Sequence, residues 1–138
     1  VGHGARCEMG NFSCLGSQCT LICKDEIIIG DYVRIAYETQ LLDSIFHQLI
    51  DLDTGKKRPI TAPIHIGSYN WIGNRTTIMK GTITGDYTTV GSNSLCNKDY
   101  SAHGEHILIG GLPAKLLKTQ ITRDWKGEQH ILDGLVRK

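Results

Sequence analysis

Between Ile66 and Asn97 the chain keeps a six-residue period, led by Ile66, Ile72, Ile78, Thr84, Val90 and Cys96. The residues that follow the leaders are Gly67, Gly73, Met79, Gly85, Gly91 and Asn97. Four places after each leader stand Asn70, Thr76, Thr82, Thr88, Ser94 and Tyr100, mostly small side chains. This beat fits neither the roughly 3.6-residue period of a helix nor the plain alternation of a strand. It fits a β-helix of hexapeptide repeats, in which short strands line the sides of a triangular coil. The leader points into a narrow core, Gly relaxes the bend, and only a small side chain fits beneath the next corner.

Upstream the pairs Leu15/Gly16, Leu21/Ile22, Ile29/Gly30, Ile35/Ala36 and Leu41/Leu42 carry a rougher form of the beat, with Val33 and Thr39 in the small column. A two-residue slip separates Leu21 and Ile27 from the frame of Ile29. Counted at three units per coil, His47 falls one coil after Ile29, at a corner. From Gln48 to Pro63 the pattern stops, and Asp51, Asp53, Gly55, Lys56, Lys57, Arg58 and Pro59 make a polar, turn-forming stretch. A long excursion from a compact solenoid is usually functional or disordered. Spacing leaves open whether it projects or stays in the wall. After Pro113, Ala114 to Lys118 has helical composition, and Ile121, Trp125, Ile131, Leu132 and Leu135 give a broken helical spacing. The expected organisation is therefore all-β: a repeat domain over 1–112 with a projecting loop at 48–63, and a capping helix or tail over 113–138. The terminal element covers strand edges that the last coil would otherwise expose.

Composition narrows the function classes. A formal charge of +1 gives no electrostatic footprint for nucleic acid. No apolar stretch approaches a membrane span, and no apolar signal-peptide core opens the chain. A cytoplasmic protein is the default expectation. The chain begins with Val1 rather than Met, as a trimmed N-terminus would. Cys7, Cys14, Cys19, Cys23 and Cys96 form no CxxC pair, so no metal site is expected. Cys19 and Cys96 read as small buried hydrophobes, with reduced thiols.

Four segments carry a family resemblance. They are Asp43-Ser44-Ile45-Phe46-His47, Asp51-Leu52-Asp53-Thr54-Gly55-Lys56, Pro63-Ile64-His65-Ile66-Gly67 and Asn70-Trp71-Ile72-Gly73. With the ending Gly110-Gly111-Leu112-Pro113-Ala114-Lys115, they resemble the hexapeptide-repeat acyltransferases over about residues 13 to 118. The chain is most similar to their sugar O-acetyltransferases, of the maltose, galactoside and surface-polysaccharide type. The resemblance implies a left-handed parallel β-helix, a homotrimer, and acetyl-CoA in the groove between neighbouring helices.

It also implies roles. His47 matches the family's catalytic base, and Asp43 an acceptor-binding or imidazole-orienting carboxylate. Trp71 matches a surface Trp that lines the acetyl or pantetheine channel or packs on a neighbouring subunit. Gly73, Gly91, Lys98, Pro113 and Lys115 match the coenzyme site; Lys80 is a weaker candidate. Two departures stand out: Ile45 replaces an acidic or amide residue two before the His, and Leu112 replaces the Asn before Pro113. Lys56, Lys57 and Arg58 suit an anionic acceptor or a solvated surface equally. The implied activity is acetyl-CoA-dependent O-acetylation of a sugar or glycan precursor. Its rivals are a serine or other small-molecule acetyltransferase and a non-catalytic assembly module. A γ-type carbonic anhydrase would need three zinc-binding His, and His47, His65, His103 and His106 do not match that arrangement.

Overall fold

The computed structural model describes residues 1–128. Its strands are β1 (Arg6–Met9), β2 (Cys14–Leu15), β3 (Thr20–Ile22), β4 (Glu26–Ile29), β5 (Arg34–Ile35), β6 (Gln40–Leu42) and β7 (Ile64–Ile66). There follow β8 (Trp71–Ile72), β9 (Thr77–Met79), β10 (Thr88–Val90), β11 (Leu95–Cys96), β12 (Ile107–Gly111) and β13 (Ala114–Thr119). They stack into three sheets: β1-β4-β7, β2-β5-β8-β10-β12-β13 and β3-β6-β9-β11. Every named pair is parallel except β12 with β13. The chain is thus a left-handed parallel β-helix, with each coil feeding the three sheets in turn.

The six-residue beat proves to be a strand alternation reset at every corner. Val33 and Ile35, Asn70 and Ile72, Thr76 and Ile78, and Thr88 and Val90 are all buried pairs two residues apart. Each pair joins a small-column residue to the next leader, both facing inward on one short strand. All six leaders and all six small-column residues from Ile66 to Tyr100 are buried. Their polar atoms are bonded as burial demands. Thr84 Oγ1 donates to Asn70 Oδ1 at 2.6 Å, and Asn70 Nδ2 donates to the Gly85 carbonyl at 2.9 Å.

The coils shorten along the helix. Leu15 pairs with Ile35 at a spacing of 20 residues, and Ile72 with Val90 at 18. The two-residue slip is extra chain at the corner between β3 and β4. At that corner in the next coil, β6 and β7 are separated by the excursion. Ile29 pairs directly with Ile66, so the excursion projects from the wall. This corrects the count that put His47 one coil after Ile29: Ile66 takes that place, and His47 stands on the excursion inserted at the corner.

The C-terminal cap also differs from expectation. Ala114–Thr119 is a strand, antiparallel on β12, rather than a helix. A strand saturates the backbone edge that β12 would otherwise leave bare, and this outweighs the helical propensity of its Leu and Lys. Helical backbone occurs at 125–128. The expected apolar positions Ile131, Leu132 and Leu135 lie outside the described residues. Among those described, no helix is long and apolar enough to cross a membrane.

Candidate active site

The excursion is an antiparallel hairpin whose backbone bonds place His47. Ser44 bridges Thr61, the Ile45 N–H donates to the Ile60 carbonyl at 3.0 Å, and the Arg58 N–H donates to Leu49 at 2.9 Å. Near the tip, Asp51 Oδ1 accepts the N–H groups of Asp53 and Thr54 at 2.9 and 3.1 Å. Phe46 takes a left-handed φ of 60°, and its N–H bonds Ser44 Oγ at 3.0 Å. The His47 N–H closes a tight turn onto the Ile45 carbonyl at 2.6 Å. The His47 imidazole is exposed and has no hydrogen-bond partner among the described residues.

Two other imidazoles are engaged, while those of His3 and His103 also lack a side-chain partner among the described residues. His65 Nε2 lies 2.6 Å from Glu26 Oε1, and this hydrogen bond is the main cause that draws the Glu26 carboxyl below its usual range. His106 stacks on Tyr87 at 4.6 Å. Among the described residues, no three His, Cys, Asp or Glu side chains gather to hold a metal ion.

Beneath the hairpin, a groove of about 400 Å³ is lined by Ile45, Arg58, Met79, Lys80, Leu95 and Asn97. Its floor is the outer face of the third sheet, because Ile78 and Cys96, the neighbours of Met79 and Leu95, point into the core.

Asp43 does not fit the role the resemblance implies. It is fully buried, and its carboxylate oxygens accept the N–H groups of Lys24 and Asp25 at 2.7 and 2.8 Å. Those residues belong to the two-residue enlargement of the coil below. Asp43 therefore ties down that corner and is buried away from the surface where an acceptor would bind.

Trp71 lies on the outer face of the second sheet, between Arg34 and Thr89. Arg123 sits 5.1 Å above its ring, and 4.0 Å from that of Trp125. Arg123 also forms a two-pronged pair with Glu128. The chain thus does not bring Trp71 and His47 together: they belong to different sides of the prism.

The coenzyme candidates divide. A Cβ on Gly73 would stand 2.6 Å from the Ser92 nitrogen, so Gly73 is needed for coil stacking. At Gly91 the nearest atom would be 3.8 Å away, which leaves its backbone approachable. The Gly91 N–H donates to the Ile109 carbonyl at 2.9 Å, and Gly110 pairs with Lys115. Pro113 fills the turn between β12 and β13. Gly91, Pro113 and Lys115 therefore share the C-terminal end of the second sheet, with exposed Lys98 on the last coil. Tyr100 Oη bonds the Ala114 carbonyl at 2.9 Å and joins that coil to the cap.

Cys96 is buried, and desolvation pushes its thiol up to about 12. A thiol so disfavoured as thiolate is no nucleophile. Cys19 is half-buried and bonds the Ala36 carbonyl, while Cys7 and Cys14 are exposed.

One feature escaped the sequence reading. Phe12, Tyr32, Tyr69, Tyr87 and His106 form a continuous stacked ladder along the corner between the first and second sheets, with centroids 4.6–5.1 Å apart. Every member has a left-handed φ. Its signal is Gly, a polar residue and then an aromatic, as in Gly30-Asp31-Tyr32 and Gly85-Asp86-Tyr87.

No family model matches the chain. WbbJ of Escherichia coli strain K12, named for O-acetyl transfer in lipopolysaccharide biosynthesis, is 27% identical over 68% of this chain and 58% of that protein. The crystal structure of the polySia-specific acetyltransferase NeuO superposes with a TM-score of 0.78 at 28% identity, covering 85% of this chain and 49% of that one. The hexapeptide-repeat-containing acetyltransferase VCA0836 of Vibrio cholerae, solved with acetyl coenzyme A, gives a TM-score of 0.68 at 26% identity, covering 86% and 65%. The chain spans less than two thirds of each of these proteins. Sugar and polysaccharide O-acetyltransferases of the hexapeptide-repeat acyltransferase family are thus among the relatives and structural neighbours of this chain.

Proposed function

We propose that the chain is an acetyl-CoA-dependent O-acetyltransferase acting on a hydroxyl of a sugar or glycan precursor, with His47 as general base. The observation that carries this reading is a free imidazole on a braced hairpin whose Ile45 and Arg58 border a groove, in a fold shared with acetyltransferases. An alcohol ionises far too weakly near neutrality to attack unaided. An imidazole, with an ordinary pKa near ~6.5, accepts the proton as the C–O bond forms.

The acceptor oxygen attacks the thioester carbonyl, the tetrahedral oxyanion collapses, and the CoA thiolate leaves. The imidazolium returns its proton to that thiolate, so the products are the acetyl ester and free CoA. No acyl-enzyme is needed, in keeping with the inert Cys96. Gly91 offers an open backbone for the pantetheine arm, and Lys98 and Lys115 are exposed cations suited to its phosphates. We assign Gly73 to stacking and Asp43 to the corner. Trp71 and His47 can serve one reaction only if neighbouring protomers meet, which supports a homotrimer with sites at the seams. The five free thiols suit the reducing cytoplasm, where we place the reaction.

The test is CoA release from acetyl-CoA with a panel of sugars and glycan precursors. Wild type should release CoA only with an acceptor. His47→Ala should lower that rate about 10²–10⁴-fold while still binding acetyl-CoA. A His47→Ala protein that turns over at the wild-type rate would refute the assignment.

A further inference from the structure

Arg58 is an exception among the described arginines. Arg6, Arg75 and Arg123 hold carboxylates, and Arg34 bonds the Phe12 carbonyl and lies 5.8 Å over Trp125. The Arg58 side chain lines the groove beneath the hairpin with no carboxylate within ion-pair distance among the described residues. Lys80, the weaker coenzyme candidate, is placed by the structure on the facing coil of this groove, apart from Gly91, Pro113 and Lys115, and is equally unpaired there. No carboxylate lines the groove. Asp43, the acidic residue at its corner, is buried and fully used by Lys24 and Asp25. Lys56 and Lys57 precede Arg58 on the same arm, while Asp51 and Asp53 stand near the hairpin tip, outside the groove.

The rest of the lining is Ile45, Met79, Leu95 and Asn97. Met79 and Leu95 are half-buried although they sit on the outer face of a sheet. Two unpaired cations over an apolar floor, with one amide, suit a ligand that has a carboxylate and an apolar ring face or N-acyl methyl. Guanidinium is the cation best shaped for a carboxylate, since its planar fork bonds both oxygens.

We infer that this groove is an acceptor site selective for acidic sugars, with Arg58 and Lys80 meeting the sugar carboxylate. The inference rests on the acetyltransferase reading above and supplies the acceptor class it lacks. The anion could also come from the coenzyme phosphates. Placement favours the acceptor: the backbone bonds Ile45–Ile60 and Leu49–Arg58 hold Arg58 on the arm opposite His47. An anion held by Arg58 therefore lies on the hairpin that carries His47, while Gly91, Pro113 and Lys115 lie at the end of the second sheet.

Calorimetric titration of the intact chain tests this with N-acetylneuraminic acid and glucuronic acid oligomers, each against its carboxyl methyl ester, and with coenzyme A in parallel. Wild type should bind the acids about tenfold or more tightly than the esters, the scale of a charge-assisted bond. The double variant Arg58→Gln/Lys80→Gln should lose that preference and keep its coenzyme A affinity within about twofold. Melting curves establish that the variant is folded. Equal binding of acid and ester by wild type, or binding of neither, overturns the inference. So does a variant that loses coenzyme A and keeps its preference for the acid. Acid-selective binding without acetyl transfer sinks only the enzymatic reading, and equal transfer to acidic and neutral sugars sinks only this one.

Discussion

Two corners of the same solenoid behave in opposite ways. Leaving the first sheet, the chain repeats itself: a Gly, a polar residue and an aromatic recur, and the rings stack from Phe12 to His106. The polar residues stack too, since Asp31 Oδ1 accepts the Asn11 N–H at 2.7 Å and Asp86 Oδ1 the Ser68 N–H at 2.9 Å. Leaving the third sheet, no two coils are alike. One corner has two extra residues, the next carries the hairpin with His47, and the next is a short turn at Lys80 and Gly81. Repetition builds the stack, because each coil is a template for the following one. Departure from repetition supplies the groove and the hairpin that carries His47, the residue proposed as base.

Predictions that break this contrast begin at the variable corner. Asp43→Asn replaces a carboxylate that accepts two N–H groups with an amide that offers only one acceptor. We expect a loss of about 2–4 kcal/mol in urea unfolding. The acceptor KM of the folded protein should not change; a raised KM would return Asp43 to substrate binding.

At the repetitive corner, Tyr69→Ala removes a ring stacked on both Tyr32 and Tyr87 and touched edge-on by Trp125. The expected cost is about 1–3 kcal/mol, with transfer per folded molecule unchanged. Loss of transfer without loss of stability would show that the ladder is more than scaffold.

The smallest effect near neutral pH concerns Cys96. Burial raises its folded-state pKa to about 12, from an ordinary thiol value of 9.0. Below pH 9 both states hold the proton and stability is unaffected. Between pH 9 and about 12 the unfolded chain releases it first, so stability falls as pH rises. Thiol labelling of the native protein should reach Cys7 and Cys14 and spare Cys23 and Cys96.

The repetitive part of the fold was legible because narrow coils leave the sequence little choice. Ile66, Ile72, Ile78, Thr84, Val90 and Cys96 are all buried, and so is the small column. The ladder was missed although its motif recurs, because aromatic residues at positive φ are uncommon and propensity does not suggest them. Ala114 to Lys118 was misread because edge pairing with β12, a tertiary demand, overrode local composition. The motif singles out His47, which the structure places on the hairpin, and it does not reveal that Asp43 is buried. The same motif placed Asp43 in the site, yet its burial against Lys24 and Asp25 depends on a slip two coils' worth of packing must resolve. Trp71 and His47 could not be assembled from one chain, since the topology sets them on different sides of the prism.

The most direct test of the contrast is to remove the departure and keep the repeat. Ser44 and Thr61 are bridge partners, so residues 45–60 can be replaced by a two-residue Asn-Gly turn between them. Thermal unfolding and acceptor-dependent CoA release would then be measured on this variant and wild type. The account predicts that the coils still melt cooperatively within a few degrees of wild type, with transfer at least about 10²-fold lower. Transfer near the wild-type rate without the hairpin would contradict it.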